Sequence, residues 1–435
     1  MKIHFIGIGG IGISGLAQYM DHKGNRVSGS DIADNRIVRQ LKSKGIDITI
    51  PHDPSAITDQ DLVVHSAIIK PDNVEVVAAK EKGIEVLPRR EALLRILHDK
   101  EVYAVAGAHG KSTTSAMLAA IMDGSAIIGA ESKAFGSNVR YEEENDRLIF
   151  EADESDGSFL NSNPYCAIVT NAEPEHMEYY EYDYERFYDA YRRFIASAKI
   201  RVLNAEDEFL STIEDDAVRL HPGRDISEVE YVLRGGEPHT RFTLKEMGTF
   251  EVWGFGEHIA LDAALAILAA AQTMPVDAVR ERILNYKGIK KRFDIIGTET
   301  NCVLIDDYGH HPTEIAATMA SARTYARLKG LETITAVWQP HKYSRTIDNL
   351  EAFSHCFEGV DRLIILPVWA AGEDARVIDF EEVFAAYAPF LADAVKRSGC
   401  GLDIVKDGKI AEHLGEGLII GFGAGDITYQ LRGEK

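Results

Sequence analysis

Two short stretches constrain the fold more than anything else in the chain. Residues 2–20 read KIHFIGIGGIGISGLAQYM, and residues 101–117 read EVYAVAGAHGKSTTSAM. Each is an apolar run, then a glycine-rich loop, then a helical pattern of small and apolar residues. A strand that enters a helix through glycines opens a βαβ unit, whose next strand lies parallel to the first. Two such openings predict an α/β protein with more than one parallel sheet. The length, 435 residues, exceeds what one core organises, so several domains are expected.

The same rhythm runs through the rest of the chain. RVSGSD, IDITI, LVVHSA and IEVLP complete a first unit over residues 1–98. A second, over 99–293, carries RLIFEADES and YCAIVTNAE as strands. After residue 215 its texture changes to hairpin-like segments, YVLRGG and TRFTLKEMGTFEVWGFG, with helices predicted over 258–272 and 276–285. A third, over 294–435, alternates CVLIDDYG, TITAVWQPH, DRLIILPVW and GLIIGFGAG with helical stretches. Within EYYEYDYERFYDAYRRFI, Tyr184, Phe187, Tyr188, Tyr191 and Phe194 recur at helical spacing. That pattern predicts the buried stripe of an amphipathic helix rather than a ligand box.

Composition removes several function classes. There are 47 basic against 69 acidic residues, a formal net charge of −22. Nucleic acid is therefore not an expected partner, because a phosphate backbone needs a basic surface. Cys166, Cys302, Cys356 and Cys400 stand far apart in sequence and match no metal-binding or redox spacing. The longest apolar run, AALAILAAA at 263–271, is too short to span a bilayer. The N-terminal run carries a glycine fingerprint where an export signal would carry a cleavage site. A soluble, cytoplasmic protein is expected, with no membrane partner.

The chemistry is expected where strands end, since open parallel sheets bind ligands beyond the carboxyl ends of their strands. Gly7-x-Gly9-x-x-Gly12 follows a strand and opens a helix, with Asp31 about twenty residues later, which describes a diphosphate cradle on helix amides. It suits NAD or any other diphosphate ligand. At the second loop, Gly107 and Gly110 free the backbone, Lys111 supplies a point charge for phosphates, and Ser112 offers a hydroxyl for Mg²⁺. The spacing is shorter than a standard phosphate loop, with Val105 where the distal glycine would stand. Acids end the next strand (Glu151, Asp153, Glu154, Asp156), placed to hold a metal, and Glu173, Glu175 and His176 end another. The third unit presents Asp306, Asp307, Tyr308, His310 and His311, then His341, Lys342 and Arg345, and finally Asp426.

In this order GIGGIGISGLA, AGAHGKSTT, EADESDGSF, TNAEPEHM, KKRFD, DDYGHHPTE, QPHKYSRT and GAGDI cover essentially the whole chain. Together they resemble the Mur ligase family, whose members use the short G-x-[HN]-G-K-[ST] loop. The resemblance implies a Rossmann-like N-terminal domain, a central P-loop-type ATPase-like sheet and a Rossmann-like C-terminal domain. It implies an ATP-dependent ligase of cell-wall precursor synthesis that activates a carboxylate as an acyl phosphate for attack by an amine. The best-matching pattern implies UDP-N-acetylmuramate, L-alanine and ATP as substrates and Mg²⁺ as cofactor, in a monomer or homodimer. Gly9, Gly10, Ile11, Gly12, Asp31, Ser66, His311, His341, Lys342 and Arg345 would then contact the sugar nucleotide or the amino acid. Gly107, Ala108, His109, Gly110, Lys111, Ser112, Thr113, His258, Arg292, Asp307 and Tyr308 would contact ATP. Ser112, Glu151 and His176 would hold metal, while Lys111, His176, Arg292 and His310 would serve catalysis. One segment departs from the family pattern G-x-H-N-x-x-N: GFGEHIALDAA carries Ile259 and Asp262 where two asparagines are usual. Two other readings remain open, a relative that attaches a recycled peptide to the same sugar nucleotide and an NAD-dependent oxidoreductase.

Overall fold

A computed structural model of the chain describes residues 1–434. The first sheet contains β1 (Lys2–Ile6), β2 (Arg26–Ser30), β3 (Asp47–Thr49), β4 (Leu62–His65) and β5 (Glu85–Pro88). Its order is β3-β2-β1-β4-β5, with every pairing parallel. Helices α1 (Ile11–His22), α2 (Arg36–Ser43) and α3 (Val74–Glu81) make the crossovers. The strand order reverses between β1 and β4, so the crevice for a ligand opens beyond their carboxyl ends.

Helix α4 (Arg89–Leu97) leads into the second sheet. That sheet comprises β6 (Glu101–Ala106), β7 (Ser125–Ser132), β8 (Ser137–Arg140), β9 (Arg147–Glu151), β10 (Pro164–Val169), β11 (Ile200–Asn204) and β12 (Val218–Leu220). Its order is β12-β11-β10-β6-β9-β7-β8, antiparallel only between β7 and β8. The centre strands explain their own sequences. From Val102 to Ala106 every residue of β6 is fully buried, as a parallel strand covered on both faces demands. Helix α5 (Lys111–Ile121) follows β6, and α6 (Tyr184–Ser197) packs on the same sheet's core.

Strands β13 (Ile226–Arg234), β14 (Glu237–Leu244) and β15 (Thr249–Trp253) form a small sheet in that order. The last large sheet uses β16 (Asp294–Glu299), β17 (Cys302–Asp307), β18 (Ile334–Trp338), β19 (Arg362–Ile365) and β20 (Phe390–Leu391). A hairpin sheet of β21 (Ala394–Ser398), β22 (Gly401–Lys406) and β23 (Lys409–Leu414) precedes the final strand, β24 (Gly417–Phe422). The large sheet runs β16-β17-β24-β18-β19-β20, parallel except at β16–β17.

The chain resolves into two compact units. One comprises Met1–Glu228, Phe242–Val252 and Ala260–Lys287; the other comprises Val229–Arg241, Trp253–Ile259 and Gly288–Lys435. The first two sheets thus share one unit, and the last two share the other.

Two local expectations change. In α6, Phe187, Tyr191 and Phe194 are buried as the periodicity predicts, joined by Ala190 and Ile195, but Tyr184 is 58% exposed. Tyr184 is the first helical residue after the N-cap Asp183, whose carboxylate accepts from Arg186 N–H at 3.1 Å, and it lies beyond the edge of the core. Tyr188 is half-buried, stacked on Phe209 with centroids 4.3 Å apart. The helices predicted over 258–272 and 276–285 form as Glu257–Ala270 and Val276–Arg282, the latter followed by a 3-10 turn at Ile283–Asn285. All four cysteines are buried free thiols, and Cys400 Sγ donates to the Cys302 carbonyl at 3.1 Å.

Candidate active site

The glycine-rich loop sits where the first sheet's strand order reverses. Gly7 N–H and Ile8 N–H both donate to Ser30 O, at 2.8 and 3.0 Å, which turns the chain across the end of β2. Ser66, just past β4, lies against Gly7, since a Cβ on Gly7 would stand 3.1 Å from Ser66 Cβ. Gly10 is the N-cap of α1, Ile11 is 44% exposed, and no side chain caps the helix. Its first amides are thus not consumed by a protein cap. Asp31 turns back onto the loop. It is 8% exposed; Oδ2 accepts Gly9 N–H at 2.8 Å, and Oδ1 accepts Ile32 N–H and Ala33 N–H at 2.8 and 3.2 Å. One oxygen thus holds the glycine-rich loop and the other closes the turn that follows β2.

The phosphate-type loop follows β6 at the centre of the second sheet. Gly110 is left-handed at φ 82°, and a Cβ there would also stand 2.5 Å from Asp262 Oδ1. Two independent constraints therefore demand glycine. Lys111 Nζ donates to Glu154 Oε1 at 2.9 Å, to Ala108 O at 3.1 Å, and to Gly107 O. Ser112 Oγ donates to Glu151 Oε1 at 3.0 Å, while Glu151 Oε2 accepts Gly129 N–H at 2.6 Å. Thr113 is half-buried in the first turn of α5. Beyond β10, Thr170 Oγ1 and Asn171 Nδ2 donate to His109 O at 2.5 and 3.0 Å, and Asn171 Oδ1 accepts His109 N–H at 3.1 Å. These two residues latch the loop and were not singled out by sequence reasoning. The His109 ring is half-exposed, 3.6 Å from Glu173 and 3.5 Å from Glu175.

Burial pushes the Glu151 and Glu154 carboxyls above their ordinary range, against the opposing pull of Lys111. Glu154 Oε2 is buried without a hydrogen-bond partner. Two buried carboxylates beside a serine hydroxyl, one of them with an unpartnered oxygen, fit a hard, oxygen-loving cation. His176 does not join them: it is exposed at the end of its loop, and its ring makes no hydrogen bond or ion pair among the described residues. Nor do the described residues contain a ready group of three or more His, Cys, Asp or Glu side chains that could hold a metal. Ser112 and Glu151 would have to share the ion with ligand phosphates and water.

In the other unit, polar groups line the ends of β17 and β18. Asp307 is 3% exposed; its oxygens accept Phe293 N–H at 2.7 Å and Gly309 N–H at 2.8 Å, and burial pushes its pKa up to about 6. Arg292 donates to Glu314 Oε1 at 3.1 Å and lies 6.0 Å from the Tyr308 ring centre. Glu314 Oε2 accepts His310 N–H and His311 N–H at 3.1 and 3.3 Å, closing a capping box on the helix Pro312–Lys329. The box uses His311 where serine or threonine is usual, so HHPTE carried only its acidic half, Glu314. Arg345 Nη1 meets His341 Nδ1 at 3.0 Å, and the His341 and His310 rings are 6.1 Å apart. Burial, then the Arg345 charge, lowers the His341 pKa to about 4. Lys342 adopts φ 69° and ties its N–H to Trp369 O at 2.8 Å. His258 is exposed, its ring folded back against Gly256, and Ile259 is packed on Gly254. An apolar contact thus replaces the amide that the family pattern would place at 259.

Family comparisons cover all three parts of the chain. Residues 2–101 match the model described as Mur ligase family, catalytic domain; 105–223 match the Mur ligase middle domain; 291–403 match Mur ligase, glutamate ligase domain. The chain belongs to the Mur ligase family. Among similar family members are the UDP-N-acetylmuramate–L-alanine ligases of Campylobacter curvus (strain 525.92) and Helicobacter pylori (strain P12). The first is 56% identical, covering 99% of both chains; the second is 55% identical, covering 100% of this chain and 96% of its own. The crystal structure of UDP-N-acetylmuramate-alanine ligase from Thermotoga maritima superposes with a TM-score of 0.80. It is 26% identical over 99% of this chain and 97% of its own. A murein peptide ligase from Psychrobacter arcticus shares the Mur ligase fold, with a TM-score of 0.63 at 19% identity over 99% of both chains. Among the described residues no helix is long and apolar enough to cross a membrane.

Proposed function

We propose that this chain is an ATP-dependent ligase that joins L-alanine to the carboxylate of UDP-N-acetylmuramate, releasing ADP and phosphate in peptidoglycan precursor synthesis. The observation that carries the reading is the row of groups at the ends of β6 and β9: Lys111 held by Glu154, and Ser112 on Glu151. Full-length identity of 55–56% to relatives of that name supports it.

Amide formation from a free carboxylate is uphill until an oxygen becomes a good leaving group. ATP's γ-phosphoryl passes to a carboxylate oxygen of the sugar, ADP leaves, and an acyl phosphate forms. The alanine amine then attacks the carbonyl carbon, and the phosphate departs with the oxygen it received. Such transfers depend on positioning and on charge neutralisation at the phosphate oxygens. The amides of Gly107–Ser112 would cradle the phosphates, and Lys111 would exchange its carbonyl partners for them. Thr113, His109, Ala108 and His258 would complete the nucleotide site. Mg²⁺, held by Ser112 and Glu151, would supply further neutralising charge when bound. His176 would face the sugar carboxylate. Gly9–Gly12, Asp31 and Ser66 would form the diphosphate end. From the last domain, Arg292, Asp307, Tyr308 and His310 would serve the ATP side, while His311, His341, Lys342 and Arg345 would serve the amino acid. Domain limits at residues 98/99 and 293/294 and a cytoplasmic location complete the reading.

The test is coupled phosphate release with UDP-N-acetylmuramate and ATP against alanine, glycine, serine and a recycled peptide. Alanine is expected to be the best acceptor, although one methylene discriminates by only about 1–3 kcal/mol in an apolar pocket. Release with the peptide alone would move the chain to another branch of the family, and release with none would defeat the reading.

A further inference from the structure

Arg89 has no place in the site so far, yet it stands between the two loops that do. It is the first residue of α4, directly after β5, so it too sits at a carboxyl end of the first sheet. Its side chain is only 11% exposed. One edge of the guanidinium is spoken for: Nη1 donates to Ser158 Oγ at 3.2 Å and lies 3.6 Å from Asp156 and 3.9 Å from Asp153. These belong to the acidic turn that follows Glu151.

The flat face of the guanidinium lies against the glycine-rich loop, with the Nη2–Nε edge beside it. A Cβ on Gly12 would stand 3.1 Å from Nη2, 3.2 Å from Cζ and 3.3 Å from Nε. The last glycine of the fingerprint therefore admits a guanidinium against the first turn of α1. Nε is buried with no hydrogen-bond partner, and no hydrogen bond of Nη2 is formed among the described residues. An Nη2–Nε edge is the planar fork that matches two oxygens of a phosphate. A buried donor without an acceptor is costly, and the strand end it faces already offers uncapped helix amides to an anion.

We propose that Arg89 is the cation of the sugar-nucleotide cradle, stacked under Gly12 and offering its unpartnered Nη2–Nε edge to the diphosphate while Nη1 ties that cradle to the turn Asp153–Ser158. The inference rests on the ligase reading of the glycine-rich loop and adds its missing positive charge. Arg89 thereby links the sugar-nucleotide loop to the acids that flank Lys111.

Titration of UDP, UDP-N-acetylglucosamine and UDP-N-acetylmuramate against wild type, Arg89→Ala and Arg89→Lys tests it, with circular dichroism confirming that each variant is folded. Arg89→Ala should weaken all three ligands roughly ten- to hundredfold, and Arg89→Lys, which keeps charge but not the fork, should fall between. KM for the sugar nucleotide should rise while KM for ATP holds. Gly12→Ala should weaken binding in the wild-type background and add little in Arg89→Ala, because its new methyl acts by displacing the guanidinium. Unchanged affinity in folded Arg89→Ala would overturn the proposal. So would a loss confined to UDP-N-acetylmuramate, which would place Arg89 at the lactyl carboxylate instead. Wild-type protein that bound none of the three would refute the ligase reading of the loop and this inference with it.

Discussion

Lys111 is held as a charge in waiting. Its ammonium spends its hydrogen bonds on two loop carbonyls and on Glu154, a carboxylate 1% exposed. An incoming phosphate can replace the carbonyls without moving the lysine far. Lys111→Ala should therefore lower phosphate release by about a thousandfold or more, while titration with UDP-N-acetylmuramate remains near wild type, because the diphosphate loop is a separate structure after β1. Loss of sugar-nucleotide binding in that variant would sink the two-loop assignment. His341 is the corresponding test in the other unit. Its pKa is lowered to about 4 by burial first and Arg345 second, so the neutral ring accepts from the guanidinium at physiological pH. A histidine depressed in the folded state contributes stability that is present above its ordinary value of 6.5 and is lost as pH falls towards 4. Nuclear magnetic resonance titration should find the His341 midpoint near that lower value. Arg345→Gln should move it upward without restoring 6.5, since burial, the larger cause, is untouched. A wild-type midpoint at the ordinary value would contradict the buried pairing.

At the scale of elements, chemistry gathers where strands stop and helices start, and the helix starts do double duty. Glu314 caps the helix Pro312–Lys329 and also holds Arg292. Glu314→Ala should cost about 1 kcal/mol of stability, the usual worth of a cap, seen as a lower melting temperature, and should raise KM for ATP by freeing Arg292. A variant that lost stability but kept KM would confine Glu314 to capping. Asp31 poses the same question for the first sheet. Asp31→Ala removes the acceptor for Gly9 N–H of the loop and for two amides of its own turn, so KM for the sugar nucleotide should rise while kcat is retained. These elements also show what sequence can reveal. The apolar runs of β6, β10 and β17 end abruptly in polar residues, so the strand ends and most of the candidate residues were legible. The use each residue makes of its neighbours was not. The spacing of Asp31 marked it as part of the cradle, but did not show that its carboxylate accepts Gly9 N–H. Thr170 and Asn171 reach His109 from a strand more than sixty positions away in sequence. The hairpin sheet β21–β23 was missed because β21 buries only Val395 and β23, KIAEHL, only Leu414, so neither leaves a continuous apolar run to read.

At the scale of the whole molecule, chain segments interleave. The chain passes between its two compact units after Glu228, Arg241, Val252, Ile259 and Lys287, so the last large sheet does not complete its core from its own segment. Phe255, 3% exposed, is buried in one cluster with Met319, Tyr325, Trp338 and Phe422, and Tyr231 and Leu233 pack against it. Its ring lies 5.4 Å from Tyr231 and 6.1 Å from Tyr325, centre to centre, and its carbonyl accepts Ser321 Oγ at 3.1 Å. All three outlying residues come from segments that precede Gly288. Removing a buried aromatic ring costs about 3–5 kcal/mol, a large part of what a domain of this size has to spare. A fragment of residues 288–435 should therefore melt without a cooperative transition and bind a hydrophobic dye. Phe255→Ala in the full chain should lower the melting temperature of the same unit while leaving UDP-N-acetylmuramate binding, which the proposed cradle assigns to the other unit, unchanged. A cooperative melt of the fragment, with no dye bound, would show that the last sheet closes its core unaided and that the interleaved segments are dispensable to it.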